Sequence, residues 1–491
     1  MMSPLWLGYL CVCAGVAGGP ELQLDRTRQL FLDDHLIESM QNVDRKVQPA
    51  TKYAGNPVLR KTESYETNVN IVYGSVLHDQ DRYRMWYITG GAVAYAESDD
   101  GVVWHKPKMD IVTVDGQPTN LLLRKTGDGS IPYFYEMFGV FKDQQDQDPA
   151  RRYKMGFLSL DPNYTGPRGA RFHDGQRRGL GVAGSPDGLR WTLIENWATE
   201  AICDGATHWM FDPARGSYVL YGRTKHTPDD VQAAWSAFDW YNSWHWGRAV
   251  ARIESPDFLH WDHTEPASAP VVMAADLADP PGTEIYSMLV FPYEGVYIGL
   301  VQTFLCRPDA ATLEIQLAVS RDGVRFTRVA DRSPFIPLGP VGSWDRFNLS
   351  LATNPPLAVG DELRFYYGGR SYRHNPYAGP DKGESFGGVG LATVLRDRFV
   401  SLEASFDGGT VITRPLRIAG TELYVNADSD FGQIVVEVLN GEGQVAAVSD
   451  PVVGDAVKLP VRWESGELPV NEPVRLRFTL RNARLFAVWA E

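Results

Sequence analysis

Ser98-Asp99-Asp100-Gly101-Val102-Val103-Trp104 decides how this chain is read, because it comes back. Ser185-Pro186-Asp187-Gly188-Leu189-Arg190-Trp191 follows the same plan. Ser255-Pro256-Asp257-Phe258-Leu259-His260-Trp261 repeats it with Phe258 in place of the glycine, and Ser320-Arg321-Asp322-Gly323-Val324-Arg325-Phe326 closes on phenylalanine. The shared pattern is Ser-x-Asp-Gly-x-x-aromatic. Asp-Gly is a strong turn signal, since glycine accepts positive φ and aspartate bonds back to its own backbone. The motif therefore predicts hairpin turns, and its use is to count structural units.

Aromatic strands supply a second count. Tyr83-Arg84-Met85-Trp86-Tyr87, Tyr153-Lys154-Met155-Gly156-Phe157, Tyr218-Val219-Leu220-Tyr221, Val296-Tyr297-Ile298-Gly299-Leu300 and Leu363-Arg364-Phe365-Tyr366-Tyr367 form one series. Aromatic and β-branched residues between turn signals read as strands. No long amphipathic helix is visible, and the best helical candidate, around Val231 to Trp235, is short. Five units of about four strands each predict an all-β fold, a five-bladed β-propeller over residues 30–401. From residue 402 to 491 the turn motif stops. Short alternating strands such as Gln433 to Val438 and Pro473 to Phe478 predict a C-terminal β-sandwich.

Composition narrows the function. The chain has 491 residues, a net charge of −14, and 14 Trp, 22 Tyr and 21 Phe. That charge, with no basic stripe, argues against nucleic acid and anionic membranes as partners. Residues 1–18 run from an apolar segment, Leu5 to Val12, into small residues, which predicts a secretory signal and a secreted or periplasmic protein. Cys13 offers a lipid-anchor alternative. Cys203 and Cys306 lie in different repeats, and sequence alone does not decide whether they pair.

Turns of this kind on five blades, followed by a β-sandwich, resemble the invertase, levansucrase and arabinanase superfamily, which includes glycoside hydrolase families 32, 43 and 68. The Leu30 to Ile37 segment, Asn56-Pro57-Val58-Leu59 and Arg398 to Leu402 also resemble secreted bacterial proteins of that type. The chain lacks the Asn-Asp-Pro-Asn-Gly, Arg-Asp-Pro and Glu-Cys motifs of the sucrose-type members, which speaks against fructan chemistry.

The resemblance implies a carbohydrate substrate and acid/base catalysis by carboxylates where each innermost strand opens on the axis. Glycoside hydrolysis needs one protonated and one ionised carboxyl flanking the bond. On this basis Glu284 is the expected general acid, Glu66 the base and Asp204 the residue that tunes the acid. Glu66 stands where those families usually carry aspartate. A solvated glutamate at a strand start and a turn-forming Asp-Gly are the plainer readings of Glu66 and Asp204.

Asp345 is a rival for any of these roles, and Arg346 a candidate clamp. His208 and Trp209 are expected to line the same wall. Two basic clusters, Arg223-Thr224-Lys225-His226 and Arg370-Ser371-Tyr372-Arg373-His374, would favour a carboxylate or sulfate if they converge on the axis. No cofactor and no metal ligand set is expected, apart from a structural axial ion for which the resemblance nominates His374. The aromatic run Trp235, Trp240, Tyr241, Trp244, Trp246 reads either as packing or as a loop that caps the substrate. Two other functions stay open. One is a carbohydrate-binding propeller without catalysis. The other is a sialidase-like enzyme, whose Asp-box turns are similar but one residue longer.

Overall fold

The computed structural model describes residues 22–125, 130–161, 163, 177–201, 204, 207–265, 268–374, 385–469 and 472–491. The signal-like residues 1–18, Cys11, Cys13 and Cys203 lie outside them. Cys306 is a buried free thiol whose Sγ is 2.9 Å from the Trp244 carbonyl oxygen.

The fold is all-β: an antiparallel propeller joined to a β-sandwich. Five meanders follow one another among the described residues. The first contains Asn70–Ile71, Arg82–Thr89, Ala92–Ser98 and Leu121–Leu123. The second runs Phe134–Lys142, Tyr153–Asp161, Arg177–Ser185 and Thr192–Thr199, and the third His208–Asp212, Ser217–Lys225, Arg248–Ser255 and Val271–Met273. Thr283–Tyr293, Val296–Leu305, Thr312–Ser320 and Thr327–Arg328 form the fourth. The fifth contains Asn348–Leu351, Glu362–Arg370 and Gly387–Leu395 and takes its outer strand, Thr51–Lys52, from the start of the chain. The short helices Asp229–Trp235 and Tyr241–Trp244 interrupt the third meander.

The second strand of each meander is buried on both faces, which explains its run of aromatic and aliphatic residues. Trp86, Tyr87, Val219 and Leu220 are fully buried. One neighbour lies so close that only glycine fits: a Cβ on Gly156 would stand 1.0 Å from Cη2 of Trp209 in the next meander.

The innermost strands converge on one line. The Thr353 amide donates to the Gly74 carbonyl at 2.8 Å. Ser75 Oγ lies 2.9 Å from Thr353 Oγ1 and accepts the Val140 amide at 2.9 Å. His208 Nε2 is 2.6 Å from the Val290 oxygen. All five innermost segments contribute to this axial set.

The recurrent turns close the third strand of a meander and share one construction. In the first, the Ser98 hydroxyl accepts the Gly101 amide at 2.9 Å, while Asp100 accepts the amides of Val102 and Val103, both at 2.8 Å. Gly101, Gly188 and Gly323 have φ of 76°, 76° and 69°, and Phe258 holds the same conformation at 73°. Each glycine carbonyl then receives a side chain from the preceding meander: Trp86 Nε1 to Gly188 at 2.7 Å and Tyr221 Oη to Gly323 at 2.6 Å. Tyr366 Oη reaches Gly101 at 2.8 Å, and so ties the fifth meander to the first.

Among the described residues the sandwich has a six-stranded and an eight-stranded sheet. Four N-terminal strands belong to it. Leu22–Leu24 pairs with Leu416–Ile418, Gln29–Leu30 with Ala483–Ala490, Ile37–Gln41 with Gly409–Thr413, and Asp44–Val47 with Val400–Ala404. The expected propeller span beginning at residue 30 is therefore corrected: residues 30–47 complete the sandwich before the chain enters the propeller. Leu30, Val47, Phe399 and Ala487 share one buried core with Phe291, Phe335 and Phe365 of the last two meanders. Arg28 and Tyr293 both bind Asp397 across that seam, at 2.5 and 2.7 Å.

Candidate active site

The open end of the axis is where each innermost strand begins and each second strand ends. Phe134–Lys142 starts there, bringing Glu136; Asp204 precedes His208–Asp212; Tyr286 opens Thr283–Tyr293. Arg223 and Arg370 arrive at the ends of Ser217–Lys225 and Glu362–Arg370.

Arg223 organises the cluster. Its Nη1 binds Asp204 Oδ2 at 3.1 Å, its Nε and Nη2 bind the Tyr286 carbonyl at 3.0 and 2.9 Å, and its guanidinium lies 3.8 Å from the centre of the Tyr286 ring. Burial pulls the Asp204 carboxyl upward, but Arg223, Arg178 and Arg248 outweigh it and hold the group ionised below the usual range. Asp204 keeps 39% side-chain exposure and has φ of 131°, a strained conformation for a residue with a side chain.

Glu136 behaves in the opposite way. Burial raises its carboxyl, the charge of Asp204 adds to the rise, and Arg370, Lys125 and Arg223 only partly offset it. No hydrogen bond or ion pair to the Glu136 carboxyl exists among the described residues. Tyr73 lies in the same cluster, its hydroxyl held protonated far above its ordinary range by burial. Two carboxyls in one basic pocket thus have their proton affinities pushed apart, as acid and base pairs require. On its rim Trp246 is 43% exposed and stands 5.0 Å from the Arg248 guanidinium.

Several expected site residues make contacts outside this cluster. Glu66 is buried and accepts Tyr87 Oη at 2.6 Å, Lys106 Nζ at 2.7 Å and the amides of Thr62 and Glu63 at 2.9 and 3.1 Å. These bonds outweigh its burial and hold it ionised in a closed anchor. Glu284 is fully buried and accepts the Trp246 amide, the Gly247 amide at 2.8 Å and the Arg248 guanidinium. That geometry fixes the loop carrying Trp246. It also leaves the Glu284 carboxylate closed off from solvent.

Asp345 binds Lys52 at 2.6 Å and Tyr367 at 3.0 Å, which fastens the N-terminal strand to the fifth meander. Arg346 Nη1 contacts the Gly339 carbonyl at 3.4 Å, away from the cluster. His208 faces the Val290 carbonyl in the core, and Trp209 packs on Phe258 at 5.0 Å; neither lines the funnel. His374 stands behind the site, 2.9 Å from Tyr286 Oη and packed on Phe304. Among the described residues no three His, Cys, Asp or Glu gather to hold a metal. Of the aromatic run, Trp235 and Tyr241 are buried packing residues.

Glu136, Tyr73 and Tyr286 were not among the expected set. Glu136 is the one acid in the aromatic strand Phe134-Tyr135-Glu136-Met137, in the single unit from which no acid had been drawn.

No family model and no curated protein matches this sequence. Solved structures of similar fold exist. A glycoside hydrolase superposes with a TM-score of 0.46 at 15% identity, covering 71% of this chain and 92% of the other. A family 43 arabinoxylan arabinofuranohydrolase from Bacillus subtilis gives 0.40 at 12% identity, covering 90% and 99%. An N-acetylgalactosamine deacetylase from F. plautii gives 0.43 at 15% identity, covering 73% and 96%.

Proposed function

We propose that this protein is a glycoside hydrolase in which Glu136 is the general acid and Asp204 the ionised partner. The observation that carries this reading is that, within one basic cluster, burial raises the Glu136 carboxyl while Arg223 holds the Asp204 carboxyl down. Protonated Glu136 gives its proton to the glycosidic oxygen as the bond to the sugar breaks. Ionised Asp204, aligned by Arg223, takes a proton from the water whose oxygen bonds to the anomeric carbon, so the sugar is released with a new hydroxyl. Trp246 offers an indole for stacking on a ring. The leader-like residues 1–18 support a site of action outside the cytoplasm, on poly- or oligosaccharides.

A panel of polysaccharides and oligosaccharides, assayed for released reducing ends, tests this. Wild type should release sugar from at least one, and Asp204→Asn should lower that release by roughly 100-fold or more. No release across the panel would reject the reading.

A carbohydrate-binding propeller without catalysis is the second reading. It draws support from Glu66 and Glu284, both closed off by ion pairs. Binding of a glycan that is never cleaved would favour it.

A further inference from the structure

We propose that Arg370, Asn348 and Tyr73 form an anion-receiving corner of the axial funnel, and that the sugar seated there carries a carboxylate. The inference rests on the hydrolase reading for turnover but on its own geometry for binding.

The neighbouring arginines are already engaged: Arg223 with Asp204 and the Tyr286 carbonyl, Arg248 with Glu284. Arg370 differs. Its guanidinium lies 5.6 Å from the Tyr73 ring and 5.8 Å from the Tyr372 ring. No carboxylate or other acceptor binds it among the described residues. Glu136 acts on it only as a charge at a distance.

Asn348 is the direct cross-strand partner of Arg370, so their side chains share one face of the sheet. Asn348 is 3% exposed, and its Nδ2 has no hydrogen-bond partner among the described residues. A buried amide left without a partner is costly, which points to a ligand atom that satisfies it. Tyr73 adds a hydroxyl held protonated by its burial.

The three groups all offer donors. Asn348 and Tyr73 can also serve a neutral hydroxyl, but the Arg370 guanidinium is a donor only and carries a full positive charge that a neutral sugar leaves unbalanced, so this corner matches an oxyanion. The chain's net charge of −14 would repel such a ligand elsewhere, so the local positive charge has a selective effect. Arginine's planar fork fits a carboxylate in bidentate fashion, which favours a uronate over a sulfate ester.

The test is calorimetric binding of D-glucuronate, D-galacturonate, D-glucose and D-glucose 6-sulfate to the full chain and to its Glu136→Gln variant. At least one uronate should bind about tenfold or more tighter than glucose, as a charge-assisted contact implies. Arg370→Gln should abolish that preference and Arg370→Lys should keep part of it. If Arg370→Gln does not fold, Asn348→Asp, which sets a negative charge in the same corner, should lower uronate affinity instead. Equal binding of glucose and both uronates, or tighter binding of the sulfate, overturns the proposal. So does a preference that survives these variants. Uronate binding with no sugar released across the whole polysaccharide and oligosaccharide panel would sink the hydrolase reading and leave this one standing. Cleavage of neutral glycosides with no uronate preference would do the reverse.

Discussion

Asp204 accepts a hydrogen bond from Arg223 at 3.1 Å, while the Glu136 carboxyl, in the same cluster, has no direct partner among the described residues. The contrast explains why one carboxyl is held below its ordinary range while burial pushes the other above it. A rate profile governed by this pair should fall at alkaline pH as Glu136 ionises, and at acid pH as Asp204 is protonated.

Glu284→Gln should destabilise the protein by about 3–5 kcal/mol, because it leaves the buried Arg248 guanidinium without its anion. Chemical denaturation would measure this. A loss below about 1 kcal/mol would mean that the pair is not the anchor described.

His208 sets a second pH dependence. Burial lowers its imidazole from 6.5 to about 4, the Val290 carbonyl only partly opposing this. The unfolded chain therefore binds a proton at pH values where the folded chain does not. This contribution is fully present above pH 6.5 and is lost as pH falls toward 4, amounting to up to about 3 kcal/mol. Glu66 adds an acid limb at lower pH, since its carboxyl is held below its ordinary 4.5. Urea midpoints between pH 4 and 8 should decline below 6.5, and His208→Gln should flatten that decline. An unchanged slope would contradict the assignment.

Tyr366→Phe should cost about 1–2 kcal/mol by leaving the buried Gly101 carbonyl without its donor across the seam between the fifth and first meanders. Tyr221→Phe should cost a similar amount at the Gly323 seam. Thermal melts of the two variants would check both. If neither moves the transition, the turns mark the meanders without holding them together.

Much of the fold was legible because its signals are local. Ser98, Asp100 and Gly101 bond within a few residues of each other, so the turn survives in sequence as a motif. The N-terminal strands were not legible: Leu22–Leu24 pairs with Leu416–Ile418, and nothing near Leu22 announces that partner.

In the site, Asp204, Arg223 and Arg370 could be picked out by type and position. Glu66 and Glu284 looked equally suitable, since an acid before an apolar strand does not reveal what will neutralise it. Lys106 stands 40 residues from Glu66, and Arg248 stands 36 from Glu284. Glu136 was hidden for the complementary reason. Its acidity is set by burial and by charges on other meanders, none of them visible around Tyr135 and Met137.

The most direct test of the acid assignment is kcat/KM of Glu136→Gln on two substrates of the same sugar: the natural glycan and a dinitrophenyl glycoside, whose leaving group needs no proton. The account predicts a fall of roughly 10²–10⁴-fold on the glycan and a far smaller one on the dinitrophenyl glycoside, with the alkaline limb of the pH profile gone. Full activity on the glycan, or equal losses on both substrates, would contradict it.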